Sequence, residues 1–416
     1  MQSKTSISLD RLWLRLRRLS GRDHCRLRPE QQDNLRFRIS LFAITLLVAA
    51  IALLGGCSST PEPNPNYREF AYITNGGSNN VTVVDLRVQR IAKLIPVGRG
   101  PTGVAVNPKR NEIYVVNTDS NSISVIDAET NKVAATIGVH RAPYFISVSA
   151  DGKRGYVANS GSANLSILDL ENRKVITTIG VGNGSDLARV SPDGKLVVVA
   201  LRTEDAVAVV DAATLSVRTK IKICNQPGDL EILADSSKAF VTCPASNQVA
   251  VVDLANLRLL ALLDTGKTPV AIGMKPDGGE VFVCNYDSSS VSEITAGINE
   301  VSHSFLIGKQ PSRIVISSDN NFAYVSNFGS DSLAVYNIDL GRWTHTVEVG
   351  SHPEALAFSP NQLQLLVVNT VSGDLSVLNL TDRKGKPRPD NPSLAAMVPL
   401  GRNPRGIAVK AFVSEK

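Results

Sequence analysis

An all-β ring of eight four-stranded units is the fold this sequence predicts, on three observations. A strand signature recurs at 42-residue spacing, at Tyr72-Ile-Thr-Asn75, Tyr114-Val-Val-Asn117 and Tyr156-Val-Ala-Asn159, then at Val198, Phe240, Phe282, Tyr324 and Leu366. So regular a period means repeated supersecondary units that bury their faces against one another. The apolar residues are mostly Val, Ile and Leu, with few aromatics, a mixture that suits pleated strands. Finally, the two ends of the periodic region carry complementary fragments of one unit.

Each unit justifies four strands. In the unit beginning at Pro101, a first strand ends at a proline turn, Tyr114 opens a second, Ile123–Asp127 forms a third and a fourth starts at Lys132. Asp151-Gly152, Asp193-Gly194 and Asp277-Gly278 join first strands to second strands, with glycine supplying positive φ. Asp85, Asp127, Asp169, Asp211 and Asp253 end third strands as Asx-type turns. Asn75 and its equivalents cap the hairpins between second and third strands. Four short antiparallel strands of this kind make one propeller blade.

The periodic region opens at a second strand, and residues 404–409 are a spare first strand, so pairing the two ends completes a blade and removes exposed edges. First strands at Pro101, Pro143, Ser185, Pro227, Pro269, Pro311, Pro353 and Pro404 give eight blades. The last interval is 51 residues, its nine extra residues falling in the basic, proline-rich stretch 382–393, read as a solvated excursion.

Ahead of the ring, residues 39–54 are an apolar run behind Arg36 and Arg38 that ends in Leu54-Gly55-Gly56-Cys57, the layout of a secretory signal. The tetrapeptide resembles the lipobox of bacterial lipoproteins, which implies acylation of Cys57 and export to the periplasm, outer membrane or cell surface. The chain divides into a leader (1–56), an acylated Cys57 with a proline-rich tether (57–69), the propeller (70–410) and a tail (411–416). The leader holds ten Lys+Arg and four Asp+Glu, leaving 34 of each sign beyond it, so the net charge of +6 gives no argument for nucleic acid. An oxidising compartment permits a disulfide, and Cys224 and Cys243 are the candidate pair, beside a third thiol at Cys284.

The Tyr-Val-Thr-Asn signature, the Val-Gly-x-x-Pro turn and the Ser-Pro-Asp-Gly turn resemble those of the YVTN-repeat β-propellers, including the YncE-like group. The resemblance implies a periplasmic or surface setting and a binding role; seven blades are common in such proteins, against the eight counted here.

By analogy with other propellers, ligands bind at the channel mouth, where the turns leading into first strands meet the hairpins between strands two and three. Those turns carry Arg99, Arg141, Lys267, Lys309 and Arg402, a cationic set open to an anion. His140 and Cys224 stand where Gly98, Gly266 and Gly308 stand, positions read as requiring positive φ. First strands line the channel, and there Asp229, Arg313, Arg189 and Glu231 interrupt columns of small or apolar residues, while Tyr144, Asp186, Glu354 and Arg405 follow the turns. Buried charges are costly unless paired or solvated, so these residues read either as a ligand site or as ion pairs bracing a wet channel.

No hydrolase, phosphate-loop or paired-cysteine motif appears, and Trp343 is the sole tryptophan beyond the leader, against a tryptophan-rich quinoprotein ring. The sequence therefore reads as a lipid-anchored, monomeric binding module without cofactor, catalytic residue or metal site, recognising an envelope protein, peptide or glycan. Two alternatives stand beside it: a haem- or tetrapyrrole-binding propeller with His140 as axial ligand, and a lactonase-like hydrolase using channel carboxylates with a divalent metal.

Overall fold

The structure, a computed structural model, describes residues 64–414. The leader, Cys57 and most of the tether lie outside the described residues. Eight antiparallel sheets of four strands follow one another around a ring, so the blade number is eight and not seven. Blade 1 comprises 67–96 closed by 404–413; blades 2 to 8 span 101–138, 143–180, 185–222, 230–264, 269–306, 311–348 and 353–399. Among the described residues the one helical element is a 3-10 turn at Phe328–Ser330, and no helix is long and apolar enough to cross a membrane.

The ends close the ring as the sequence predicts. Tyr67–Asn75 lies between Asn80–Asp85 and the final strand Pro404–Val413, in register from Tyr67↔Val413 to Ile73↔Ile407. This ladder takes in Tyr67–Glu69 from the expected tether and Ala411–Val413 from the expected tail, because Phe412 packs against Phe70 with ring centroids 6.2 Å apart. The described residues 64–414 form one compact unit in which every sheet is complete.

Second and third strands are buried on both faces, which explains their near-continuous Val and Ile, whereas fourth strands are mostly exposed or half-buried. The core consists of clusters between adjacent sheets; one joins Leu187, Val198 and Val209 of blade 4 to Leu230, Val241 and Val252 of blade 5. Tyr72, Tyr114, Tyr156 and Tyr324 are among the largest fully buried side chains. Each contributes roughly 1.5–3 kcal/mol, provided its hydroxyl finds a partner. Tyr72 donates to Asn131 Oδ1 (2.8 Å) and Tyr114 to Glu112 Oε2 (2.7 Å). Every blade carries a register shift between its third and fourth strands, for example at Val83/Val84 and Val125/Ile126, which increases the local twist of each outer strand.

Chain direction sorts the turns onto two faces. Lead-in turns and hairpins between strands two and three share the mouth; turns between strands one and two, and between three and four, share the opposite face. The 382–393 stretch lies on the opposite face and is only partly a solvated excursion. Its second half is docked: Tyr324 Oη donates to the Pro389 carbonyl (2.9 Å), Thr344 Oγ1 to that of Asp390 (3.2 Å), and Pro392 is buried. Only residues 383–388 are uniformly exposed.

Candidate functional site: the channel and its mouth

The mouth is built from repeated hydrogen bonds. The N–H of Arg99 donates to Ser120 Oγ (2.9 Å), and the same bond recurs from Arg141 to Ser162, Asn225 to Ser246, Lys267 to Ser288, Lys309 to Ser330, Ser351 to Ser372 and Arg402 to Ser78. In blade 4 Glu204 replaces serine and accepts from Asn183 at 2.7 Å. One residue on from Arg99, the N–H of Gly100 donates backwards to Asn79 Oδ1 of the preceding blade (3.0 Å). Asn121, Asp205, Asn247, Ser289 and Asp331 repeat that bond in other blades. Most lead-in turns are thus stapled to the hairpins on both sides. The serine column, 42 residues apart, was a legible signal that the motif reading passed over. The divergent hairpin 201–205 performs the same stapling with Glu204 and Asp205.

The expected role of Gly98 needs correction. Except at its blade 4 equivalent Gly182 (132°), positive φ occurs two residues later, at Gly100 (60°), Ala142 (50°), Gln226 (54°) and His352 (58°). Glycine at 98 serves close approach instead: a Cβ there would lie 2.6 Å from Asn117 Cγ. Asn117 needs that place because its Nδ2 donates to Ser122 and Ser124, tying the hairpin as anticipated. In blade 5 the equivalents of Gly98 and Asn117 are Cys224 and Cys243, and they form the predicted disulfide, with Cα atoms 5.7 Å apart. Cys284 is free and buried, and burial pushes its thiol far above the ordinary range.

Within the channel two ion pairs form. Arg189 Nη2 lies 3.0 Å from Glu231 Oε1 in the next blade, with its guanidinium 4.8 Å above the Phe145 ring. Arg313 of blade 7 reaches past blade 6 to Asp229 of blade 5, at 3.6 Å. Blade 6 places the small residue Ala271 at the register position between them, while a Cβ on the buried Gly273 would meet Ile314 Cγ2 of blade 7 at 2.9 Å. Asp229 also accepts from the N–H of Ile272 (3.2 Å). The Glu231 side chain retains 35% of its surface. Desolvation, with the Asp229 charge adding to it, raises its carboxyl above the usual range against the opposing pull of Arg189 and Arg313.

The other candidates stay apart. Desolvation raises the Asp186 carboxyl despite Arg202 at 3.8 Å. Glu354 accepts from Thr370 Oγ1 (2.8 Å), Tyr144 is 44% exposed, and Arg405 is exposed. No ion pair or side-chain hydrogen bond draws Tyr144, Glu354 and Arg405 into the Arg189–Glu231 group among the described residues. His140 is exposed, with no hydrogen bond orienting its ring. No three His, Cys, Asp or Glu side chains converge as metal ligands among the described residues. Arg99, Arg141, Lys267, Lys309 and Arg402 are all exposed at the mouth, and none is in an ion pair among the described residues. Sequence reasoning missed Tyr286 and Phe328 beside them, their rings 6.0 Å apart, with His352 4.3 Å from Phe328. Their signal was an aromatic directly after the hairpin asparagine in two consecutive blades.

Fold and site together define an eight-bladed propeller with an internally neutralised channel and a cationic, rigidly braced mouth. Comparison with known proteins agrees on the class: residues 41–189 match the family model of YNCE-like β-propellers, and residues 280–400 match that of lactonase 7-bladed β-propellers. No curated protein matches the sequence. Among solved structures, Kuenenia stuttgartiensis hydrazine synthase is 24% identical with a TM-score of 0.54, covering 64% of this chain and 91% of its own. Dihydro-heme d1 dehydrogenase NirN, in complex with DHE, is 14% identical with a TM-score of 0.69, covering 82% and 74%. A functionally unknown protein from Desulfotomaculum acetoxidans is 15% identical with a TM-score of 0.55, covering 82% and 98%. At these identities the likeness is one of fold alone.

Proposed function

We propose that this chain is an exported, lipid-anchored binding module whose mouth recognises an anionic surface on an envelope protein, peptide or glycan. The observation that carries this reading is the exposed cation set, Arg99, Arg141, Lys267, Lys309 and Arg402, held on stapled turns and in no ion pair among the described residues. Several acids of the same hairpins are occupied. Asp205 and Asp331 accept backbone N–H groups, Glu204 pairs with Lys220 (2.9 Å), and Asp287 accepts from Thr268 Oγ1 (2.5 Å). Turns fixed before binding lose little conformational freedom on capture. The channel favours binding over metal-assisted hydrolysis, because Asp229 and Glu231 are each paired with an arginine and no third metal-ligating side chain joins them among the described residues.

Charge reversal at the five cations tests the reading. The parent chain, used as bait on envelope extract, enriches a partner whose capture falls with added salt, and the five-site glutamate variant loses it. An unchanged partner set would discard the mouth as the recognition surface. Anchoring is checked separately: labelled palmitate enters the parent and not Cys57→Ala.

A further inference from the structure

On the face opposite the mouth, one position in the turn between strands three and four divides the blades into two groups. Blades 2 to 5 place Thr130, Asn172, Thr214 and Asn256 there, whereas blades 6, 7 and 1 place Ile298, Leu340 and Val88. Those three aliphatic side chains are 64%, 58% and 61% exposed. Blade 8, between blades 7 and 1, carries the inserted segment 382–393 at the same turn. Its Arg383, Lys384, Lys386 and Arg388 are exposed, and none is in an ion pair among the described residues. Of the two carboxylates in this segment, Asp382 accepts from the N–H groups of Lys384 (2.8 Å) and Lys386 (3.0 Å), and Asp390 is exposed where its carbonyl docks on Thr344. Docking of Pro389, Asp390 and Pro392 onto blade 7 holds the cationic tip out from the ring. A cleft of about 460 Å³ opens beside it, lined by Arg383, Lys384 and Arg388, by the Asp382 carboxylate and by Thr381, Asn391 and Ser393. The first strand, Tyr67–Asn75, begins on this same face in blade 1, so the segment carrying Cys57 joins the ring here.

Aliphatic tips around a rigid cationic loop match the chemistry of a membrane surface, where cations meet lipid phosphates and apolar side chains enter the headgroup layer. We infer that the sector formed by blades 6, 7, 8 and 1 seats on an anionic phospholipid surface. Arg383, Lys384, Lys386 and Arg388 take the phosphates, and Val88, Ile298 and Leu340 enter the headgroup layer. The inference rests on the exported, membrane-tethered reading above, and it turns the mouth away from the bilayer.

The test uses chain 58–416 without an acyl group, since the ring is complete within it, and follows flotation with vesicles. Phosphatidylcholine vesicles containing phosphatidylglycerol should carry the protein, and phosphatidylcholine alone should not. Reversing the four loop cations to glutamate should weaken binding at least about tenfold, because each cation near an anionic surface adds of order one kcal/mol. Val88→Thr/Ile298→Asn/Leu340→Asn, which installs residue types used by the other blades, should weaken it with melting unchanged. Equal binding to both vesicle types, no binding by the parent, or variants that float like the parent would overturn the inference. So would complete displacement by soluble glycerol phosphate with the aliphatic variant unaffected, an outcome that assigns the cleft to a free phosphate. Reversal of the five mouth cations should leave flotation intact, so failure of partner capture and failure of membrane seating are read apart.

Discussion

Glu112 shows how single residues are held between blades. Its carboxylate meets Arg110 Nε (3.1 Å), Arg173 Nη2 of the next blade (2.8 Å) and the Tyr114 hydroxyl. Desolvation raises its carboxyl, but the Tyr114 hydrogen bond and the two arginines outweigh that and hold it below the usual range. A carboxyl depressed by folding contributes stability that is full above its unfolded pKa and is lost as pH falls through the folded value. Glu112→Gln should therefore cost roughly 1–3 kcal/mol in urea unfolding at neutral pH, less than a fully buried pair because water still reaches both arginines. The difference from the parent should vanish in acid. Cys284, buried and far from thiolate character, should resist alkylation in the native protein and react once it is unfolded. Legibility at this scale was uneven. Arg189 and Glu231 are register equivalents in adjacent blades, so their pairing could be read from spacing. Arg313 and Asp229 are two blades apart, with the small Ala271 at the register position between them, and a contact across an intervening blade is something spacing alone does not convey.

At the level of elements, the lead-in turn is the unit that varies while its fastening stays constant. Five blades fasten it with a glycine seated on a hairpin asparagine; blade 5 fastens it covalently. Closing a loop across 19 residues of sequence stabilises by on the order of 3 kcal/mol in the chain-entropy account. Cys224→Ser/Cys243→Ser should lower the melting temperature of oxidised protein, and Cys224→Gly/Cys243→Asn should recover part of the loss by restoring the pair used elsewhere. A double glycine–asparagine variant no more stable than the double serine would show that the two fastenings are not equivalent. The strands themselves were readable because turn chemistry recurs in register with apolar runs. The docking of 389–392 was not, because it depends on a tyrosine hydroxyl of another blade.

For the whole molecule, closure by the chain ends is the feature on which cooperative stability depends. Removing residues 402–416 deletes the strand Pro404–Val413 and leaves blade 1 with three strands and an open edge. Thermal unfolding of that truncation should begin well below the parent transition, or the protein should aggregate; an unchanged melt would contradict closure. The complementary fragments at residues 70 and 404 announced this feature in the sequence, and the structure lengthens the ladder at both ends.

That ladder also has a mechanical meaning. A tug on the chain upstream of Tyr67 runs along a strand gripped on either side, by Asn80–Asp85 and by Pro404–Val413. Such a load acts in shear, so the cross-links resist together rather than peeling one by one. Under the proposed anchoring and partner capture, a cargo held at the far rim drags on its leash without unravelling the clasp.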